Sequence, residues 1–280
     1  MFISVNGRIR HHAVVRTGPG GTVSSVKSTR YLEIADQLAG ELADCRPGTR
    51  VASEHDIAAR FGVGRAASRS ALQELERRLV VRRVQGAGTF VNRRIDYVIS
   101  HDRQPSFGAT VRAAGAVPRS RVKVTERMPL PAEPALLLEV PAGTPVHHVI
   151  RLDYIDDVPA GWIQEWIPVE VAADLDLALR TVESLELALR QLGRVQPVRS
   201  WCRVSLDVPP RVVPVELGID QGIPVWHIES LSRDADSGRP LLYREAWNRT
   251  DAVRVVVELG DGGPPPAGTA PDPATFPGRS

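Results

Sequence analysis

Residues Ser53 to Val91 constrain the fold more than any other stretch, because they read as two short helices on a tight turn, followed by a basic hairpin. Ser53 can cap a helix by accepting a backbone N–H, and Asp56 three residues on completes a capping box. Ile57, Ala58 and Phe61 form an apolar stripe, and Gly62 stops the helix where a positive φ is cheap. Beyond Gly62-Val63-Gly64, a second helix carries Ala71, Leu72, Leu75 and Leu79 at helical spacing, so that face belongs to a core. Arg65 and Arg69 fall on a different stripe that faces solvent, with the small residues Gly64, Ala66 and Ala67 around them. Two arginines one turn apart at the front of a slender helix suit close approach to a major groove, where guanidinium groups read guanine edges. Val80 to Val84 and Thr89 to Arg94 then read as a hairpin tipped by Gln85-Gly86-Ala87-Gly88, with Arg82, Arg83, Arg93 and Arg94 on its shoulders.

Charge separates along the chain. The net charge of +2 conceals 16 Lys+Arg against 8 Asp+Glu in residues 1–94, leaving the remainder acidic. A polyanion is drawn to the front and repelled by the rear. Upstream, Tyr31, Ala35, Leu38 and Leu42 share one face of a scaffold helix over Thr29 to Ala43, and Pro47-Gly48 turns the chain back. No apolar run is long enough to cross a membrane and no signal segment is present, so a cytoplasmic protein is expected. Cys45 and Cys202 are expected to be reduced and buried, and no metal or cofactor is expected.

The front half resembles the GntR family of transcriptional regulators. The resemblance rests on Ala58-Ala59-Arg60-Phe61-Gly62-Val63, on Arg65, Arg69, Ala71-Leu72 and Leu75, and on Gln85-Gly86-x-Gly88-Thr89-Phe90-Val91. It implies a winged helix-turn-helix with DNA contacts from His55, Gly64, Arg65, Ala66, Ala67, Arg69, Gln85 and Gly86. The chain departs from the family pattern at Ala52 for Pro, His55 for Arg, Ala67 for Thr and Leu79 for Gly.

In the rear half Ile95, Tyr97 and Ile99 alternate as a strand, and Ser106-Phe107 open a helix ended by Gly115. Ser106 suits a helix cap, and also the start of an anion site. An internal repeat follows. Leu138, Val140, Gly143, Pro145, Val146, His148 and Leu152 recur 79 residues later as Leu217, Ile219, Gly222, Pro224, Val225, His227 and Leu231. Each copy continues as strand, acidic turn and strand, with one Leu-rich helical segment over 173–192 between the copies. Two hairpins with helices on one side predict an antiparallel α+β domain with a cleft. His148 and His227 lack further ligands at metal spacing and are read as core or strand-edge residues.

This half resembles the UTRA effector-sensing domain of the HutC branch of that family, which shares a fold with chorismate lyase, and looks most like the phosphonate-utilisation (PhnF-type) regulators. The resemblance implies a small, anionic effector held near Ser106 and Phe107, by Arg151, and by strand residues before Pro168 and Asp251. Strand alternation selects Glu165 and Arg244 there, and Asp153 stands where a second Arg is usual. The organisation expected is an arm over 1–27, a DNA-binding domain over 28–94, an effector and dimerisation domain over 95–259, and a Pro/Gly-rich disordered tail over 260–280. The function expected is a homodimeric repressor on a short palindromic DNA operator, whose operator affinity is controlled by its effector. Alternatives are a lyase-like enzyme with Glu165 as base, and an architectural DNA binder with a vestigial pocket.

Overall fold

The helix-turn-helix forms as three helices and a hairpin: α1 (Ser24–Leu42), α2 (Glu54–Phe61), α3 (Arg65–Arg77), β1 (Val81–Val84) and β2 (Gly88–Val91). The computed structural model describes residues 24–84, 86–100, 106–179, 182 and 184–258; the arm over 1–23, Gln85 and the tail from 259 lie outside it. Contacts divide the chain into two compact units, residues up to 45 with 50–89, and residues 46–49 with 90 onward.

In the first unit the caps do what their chemistry allows. Ser53 Oγ accepts the Asp56 N–H at 3.2 Å, and Asp56 Oδ2 accepts the Ser53 N–H at 3.0 Å. Gly62 closes α2 at φ 62°. Ile34, Ala35 and Leu38 of α1, Ile57 of α2 and Ala71, Leu72 and Leu75 of α3 are buried, and α3 packs on both other helices. Each buried Ile or Leu side chain contributes about 1.5–3 kcal/mol, and each alanine methyl about 0.8 kcal/mol. Leu79, expected on the same helical face, lies beyond the end of α3 at φ 59° and is half-buried. A β-carbon in that conformation costs about 1–2 kcal/mol, which is why glycine suits the position. The hairpin keeps two of its four expected shoulder arginines, Arg82 and Arg83. Arg93 instead donates to the Gly115 carbonyl at 3.0 Å and pairs with Asp156 at 3.2 Å, and Arg94 donates to the Val253 carbonyl, all within the second unit.

The second unit runs β3 (Ile95–Ile99), α4 (Phe107–Ala113), β4 (Pro118–Pro129), α5 (Ala132–Leu138), β5 (Pro145–Ile155), β6 (Val158–Pro168), α6 (Leu175–Ala178), α7 (Leu185–Leu192), β7 (Pro197–Asp207), α8 (Val212–Leu217), β8 (Val225–Asp234), β9 (Pro240–Asn248) and β10 (Val253–Val257). Six strands form one antiparallel sheet in the order β4-β5-β6-β9-β8-β7, while β3 and β10 pair in parallel. Each sequence repeat is thus a helix followed by a hairpin, α5-β5-β6 and α8-β8-β9, and the copies join where β6 meets β9. The repeated histidines pack against tryptophans of the sheet. His148 stacks on Trp166 and reaches Glu126 at 3.2 Å, and His227 stacks on Trp247 at 3.8 Å and reaches Asp207 at 3.5 Å.

Apolar clusters place α5 and α8 on one face of the sheet, around Trp166 and Tyr243 and around Trp162 and Trp247. On the other face, α6 and α7 cover Val149, Ile167 and Leu242, and β3 and β10 cover Ile163, Ile228 and Ala246. The single helix expected over 173–192 is two short ones, α6 and α7. Cys45 and Cys202 are free and half-buried, not fully buried as expected.

Gly193 caps α7 at φ −80°, a conformation open to any residue, so space explains it. A β-carbon there would stand 2.5 Å from the Val171 carbonyl oxygen and 2.9 Å from that of Leu189. Gly193→Ala is therefore expected to destabilise the protein by about 1–3 kcal/mol, read as a lower urea midpoint; an unchanged midpoint would show that the α7 end yields freely.

Candidate functional site

Two regions carry chemistry, one in each unit. In the first, α3 begins at Gly64, which offers no side-chain cap, and its first turn holds no acidic residue. Its leading N–H groups and the positive end of its dipole are left for an anion. Arg65, Ala66 and Arg69 are exposed and Ala67 is half-buried. Ser68 turns inward and donates to the Arg65 carbonyl at 3.0 Å. Arg69 rests 3.3 Å from Glu54, which also lies 3.7 Å from Arg83 of the hairpin, so α3 and the hairpin share one face through one carboxylate. His55 is exposed on the first turn of α2, and Gly86 is exposed at the hairpin tip with φ 75°. Gln85 lies outside the described residues. Sequence reading missed Arg50, whose Nε would sit 3.3 Å from a β-carbon on Gly88.

The second region is a cavity of about 200 Å³ on the α7 and β3 face of the sheet. Five of the six expected effector residues, Ser106, Phe107, Arg151, Asp153 and Arg244, line it. The sixth, Glu165, lies beneath them and is 0% exposed. It is clasped from both sides. Arg151 donates from Nε and Nη2 to the two carboxylate oxygens at 2.9 Å each, and Arg244 donates from Nε at 2.6 Å. Burial pushes the Glu165 pKa up, but the two guanidiniums and their hydrogen bonds outweigh it and hold the carboxyl below its usual range. Arg244, whose own burial opposes its charge, is held protonated chiefly by Glu165. Asp153 is the reverse case: burial dominates and raises its pKa, with Arg151 opposing, while the Ser120 hydroxyl donates to Oδ1 at 2.5 Å. Ser106 is a true helix cap, its Oγ accepting the Ala109 N–H at 3.2 Å.

These positions correct the enzymatic alternative. Glu165 does not reach the cavity wall and is already saturated with cationic donors, so it is not placed to take a proton from a substrate. Among the described residues, no group of three or more His, Cys, Asp or Glu side chains could hold a metal ion. Sequence reading also missed Ser120, Arg199, Ser230, Ser232 and Asn248 on the wall. The repeat holds the signal for two of them, because Ser230 and Ser232 are the 79-residue counterparts of Arg151 and Asp153.

Comparison with known proteins finds a family model in each half of the chain. Residues 30–91 match the family described as bacterial regulatory proteins, gntR family, and residues 113–254 match the UTRA domain. The HTH-type transcriptional regulator GgaR of Escherichia coli is 28% identical over 75% of this chain and 82% of its own. The HTH-type transcriptional regulator RB1450 of Rhizobium meliloti is 30% identical over 81% and 94%. The crystal structure of PhnF from Mycobacterium smegmatis shares the fold, with a TM-score of 0.58 at 23% identity, covering 82% of this chain and 100% of that one. Among the described residues, no helix is long and apolar enough to cross a membrane.

Removing one partner of a buried ion pair leaves the others uncompensated, at a cost of about 3–5 kcal/mol. Glu165→Gln is expected to lose about that much stability at pH 7 by urea unfolding. A lowered folded pKa stabilises the native state above the unfolded value and is lost on acidification. The gap between wild type and variant should therefore narrow below about pH 4.3, the ordinary glutamate value. A gap under about 1 kcal/mol at pH 7, or one indifferent to pH, would contradict the clasp.

Proposed function

From the premise that this chain belongs to the gntR family of bacterial regulatory proteins, and is a DNA-binding transcriptional regulator with a UTRA domain, we propose that a small anionic metabolite bound in the charged cavity controls its hold on an operator. The observation that carries this is the pairing of two unlike surfaces on one chain: exposed guanidiniums at the uncapped start of α3, and a walled cavity floored by clasped charges. Neither surface alone accounts for the other.

In this reading Arg65 and Arg69 reach base edges in the major groove, with Gly64, Ala66 and Ala67 small enough to let α3 approach. His55, Gly86 and Gln85 meet the backbone, and Arg82 and Arg83 flank phosphate. The protein acts as a cytoplasmic homodimer, because a short palindrome presents successive major grooves about 34 Å apart and a two-fold pair of α3 helices matches that spacing. Ser106, Phe107, Arg151, Asp153 and Arg244 form the effector wall, with Glu165 as its support. Effector binding favours a dimer geometry that no longer fits the operator, and repression is lifted. DNA must then weaken effector binding by the same factor.

The test uses the full chain and a duplex from its own promoter region, with random duplex as competitor. Wild type should retain the promoter fragment under excess random DNA. Arg65→Ala and Arg69→Ala should each cost about 1–3 kcal/mol, roughly tenfold or more in affinity, mostly in the specific component. Equal competition by random DNA in the wild type, or unchanged affinity in the double variant, would sink the reading.

A further inference from the structure

Arg50 is exposed, set in place by its neighbours, and paired with no carboxylate among the described residues. It precedes Val51, whose N–H donates to the Thr89 carbonyl of β2 at 2.8 Å and whose side chain is buried. Alternation along that short pairing turns Val51 inward and Arg50 outward. The guanidinium lies against the glycine edge of the hairpin, where a β-carbon on Gly88 would stand 3.3 Å from Nε and 3.5 Å from Nη2. Gly88 also has φ 122°, a conformation side chains avoid, so the trough beside Arg50 stays bare for two independent reasons. The neighbouring cations are engaged: Arg69 and Arg83 both lean on Glu54, at 3.3 and 3.7 Å. Asp56 feels the charge of Arg50 but gives its Oδ2 to Ser53.

Beside this guanidinium opens a notch of about 390 Å³, walled by Arg50, by Glu54 of α2, by Arg83 of β1 and by Gly86, Ala87 and Gly88 at the hairpin tip. Two glycines and an alanine let a polymer backbone come down to Arg50 without meeting a side chain larger than a methyl. Arg50 and Arg83 outnumber Glu54, so the rim is net positive. A planar group with several N–H donors, held beside bare main chain, matches a phosphodiester, whose two free oxygens accept a pair of parallel hydrogen bonds. Reading a base edge requires a side chain that projects into a groove, and this one lies along the hairpin instead. We propose that Arg50 is a phosphate clamp, gripping a phosphodiester of the DNA strand that passes between the hairpin and α3. It sets how strongly the chain holds duplex, not which sequence it chooses. This rests on the DNA-binding reading above and adds to it a contact that Arg65 and Arg69 do not supply.

The experiment measures affinity of the full chain for its promoter duplex and for a random duplex of equal length, at salt from about 50 to 200 mM, where log affinity falls with log salt by about 0.9 per phosphate contact. Arg50→Ala should weaken both duplexes by the same factor, roughly tenfold at the lower salt. It should also make each slope shallower by about 0.9 for every subunit bound. Arg50→Lys keeps the charge and should recover most of the slope. Methylphosphonate placed at one phosphate after another of the promoter duplex should find a position whose neutralisation weakens wild type and leaves Arg50→Ala unchanged. A purely structural role predicts lower affinity at an unaltered slope with no such position, and that result would overturn the clamp. So would Arg50→Ala binding like wild type. A loss confined to the promoter duplex would make Arg50 a base reader and overturn it as well. Urea unfolding should find wild type and Arg50→Ala alike; if the variant is less stable, Arg50→Gln, which keeps the stem beside Gly88, decides the slope. A wild type with no preference for the promoter sinks the operator reading, and the slopes on random duplex still decide Arg50.

Discussion

A single buried carboxylate organises the second unit. Glu165 is 0% exposed on β6, and its charge is tolerable there because Arg151 of β5 and Arg244 of β9 both donate to it. Those strands come from different copies of the repeat, so the clasp joins the copies across the β6–β9 seam, where Glu165 and Arg244 stand directly opposite. A slip of one residue would turn Glu165 to the α5 and α8 face and strand two guanidiniums. The seam register and the cavity floor are therefore one constraint, and the carboxylate at its centre is held ionised by the two guanidiniums on either side.

The first unit uses the same chemistry at the opposite limit. Arg69 and Glu54 also pair, but Arg69 keeps 61% of its side chain exposed at 3.3 Å. An exposed pair is worth under about 1 kcal/mol, so Glu54 holds Arg69 only weakly. Buried arginine builds a rigid floor, and exposed arginine stays available. The uncapped start of α3 completes that contrast, since a capping side chain at Gly64 would occupy the N–H groups an anion needs.

Much of this was legible because the signals are local. Ser53, Asp56 and Gly62 set the ends of α2 within ten residues, and the 79-residue repeat announced both hairpins. What escaped was what depends on distant partners. α5 and α8 span seven and six residues, too short for a periodic stripe, and they hold through packing on the sheet. β4 and β7 are the sheet's edges and carry polar residues on both sides, which blurs their alternation. Arg93 and Arg94 follow the hairpin in sequence yet bond to residues 115, 156 and 253. Alternation placed Glu165 and Arg244 on one face, but could not tell the wall from what lies behind it. That distinction needs the diagonal reach of Arg151 to Glu165, set by a register in which Arg151 faces Ile163.

The central claim is that Glu165 is an anion locked between two cations, a support beneath the cavity and not a base within it. Its most direct test is the carbon-13 chemical shift of the Glu165 carboxyl, assigned by comparison with Glu165→Gln and followed from neutral pH into acid. The expected result is an ionised signal that persists below pH 4.3, about the ordinary glutamate midpoint, until the protein itself unfolds. A protonation step at or above that midpoint, in a protein still folded, would contradict it.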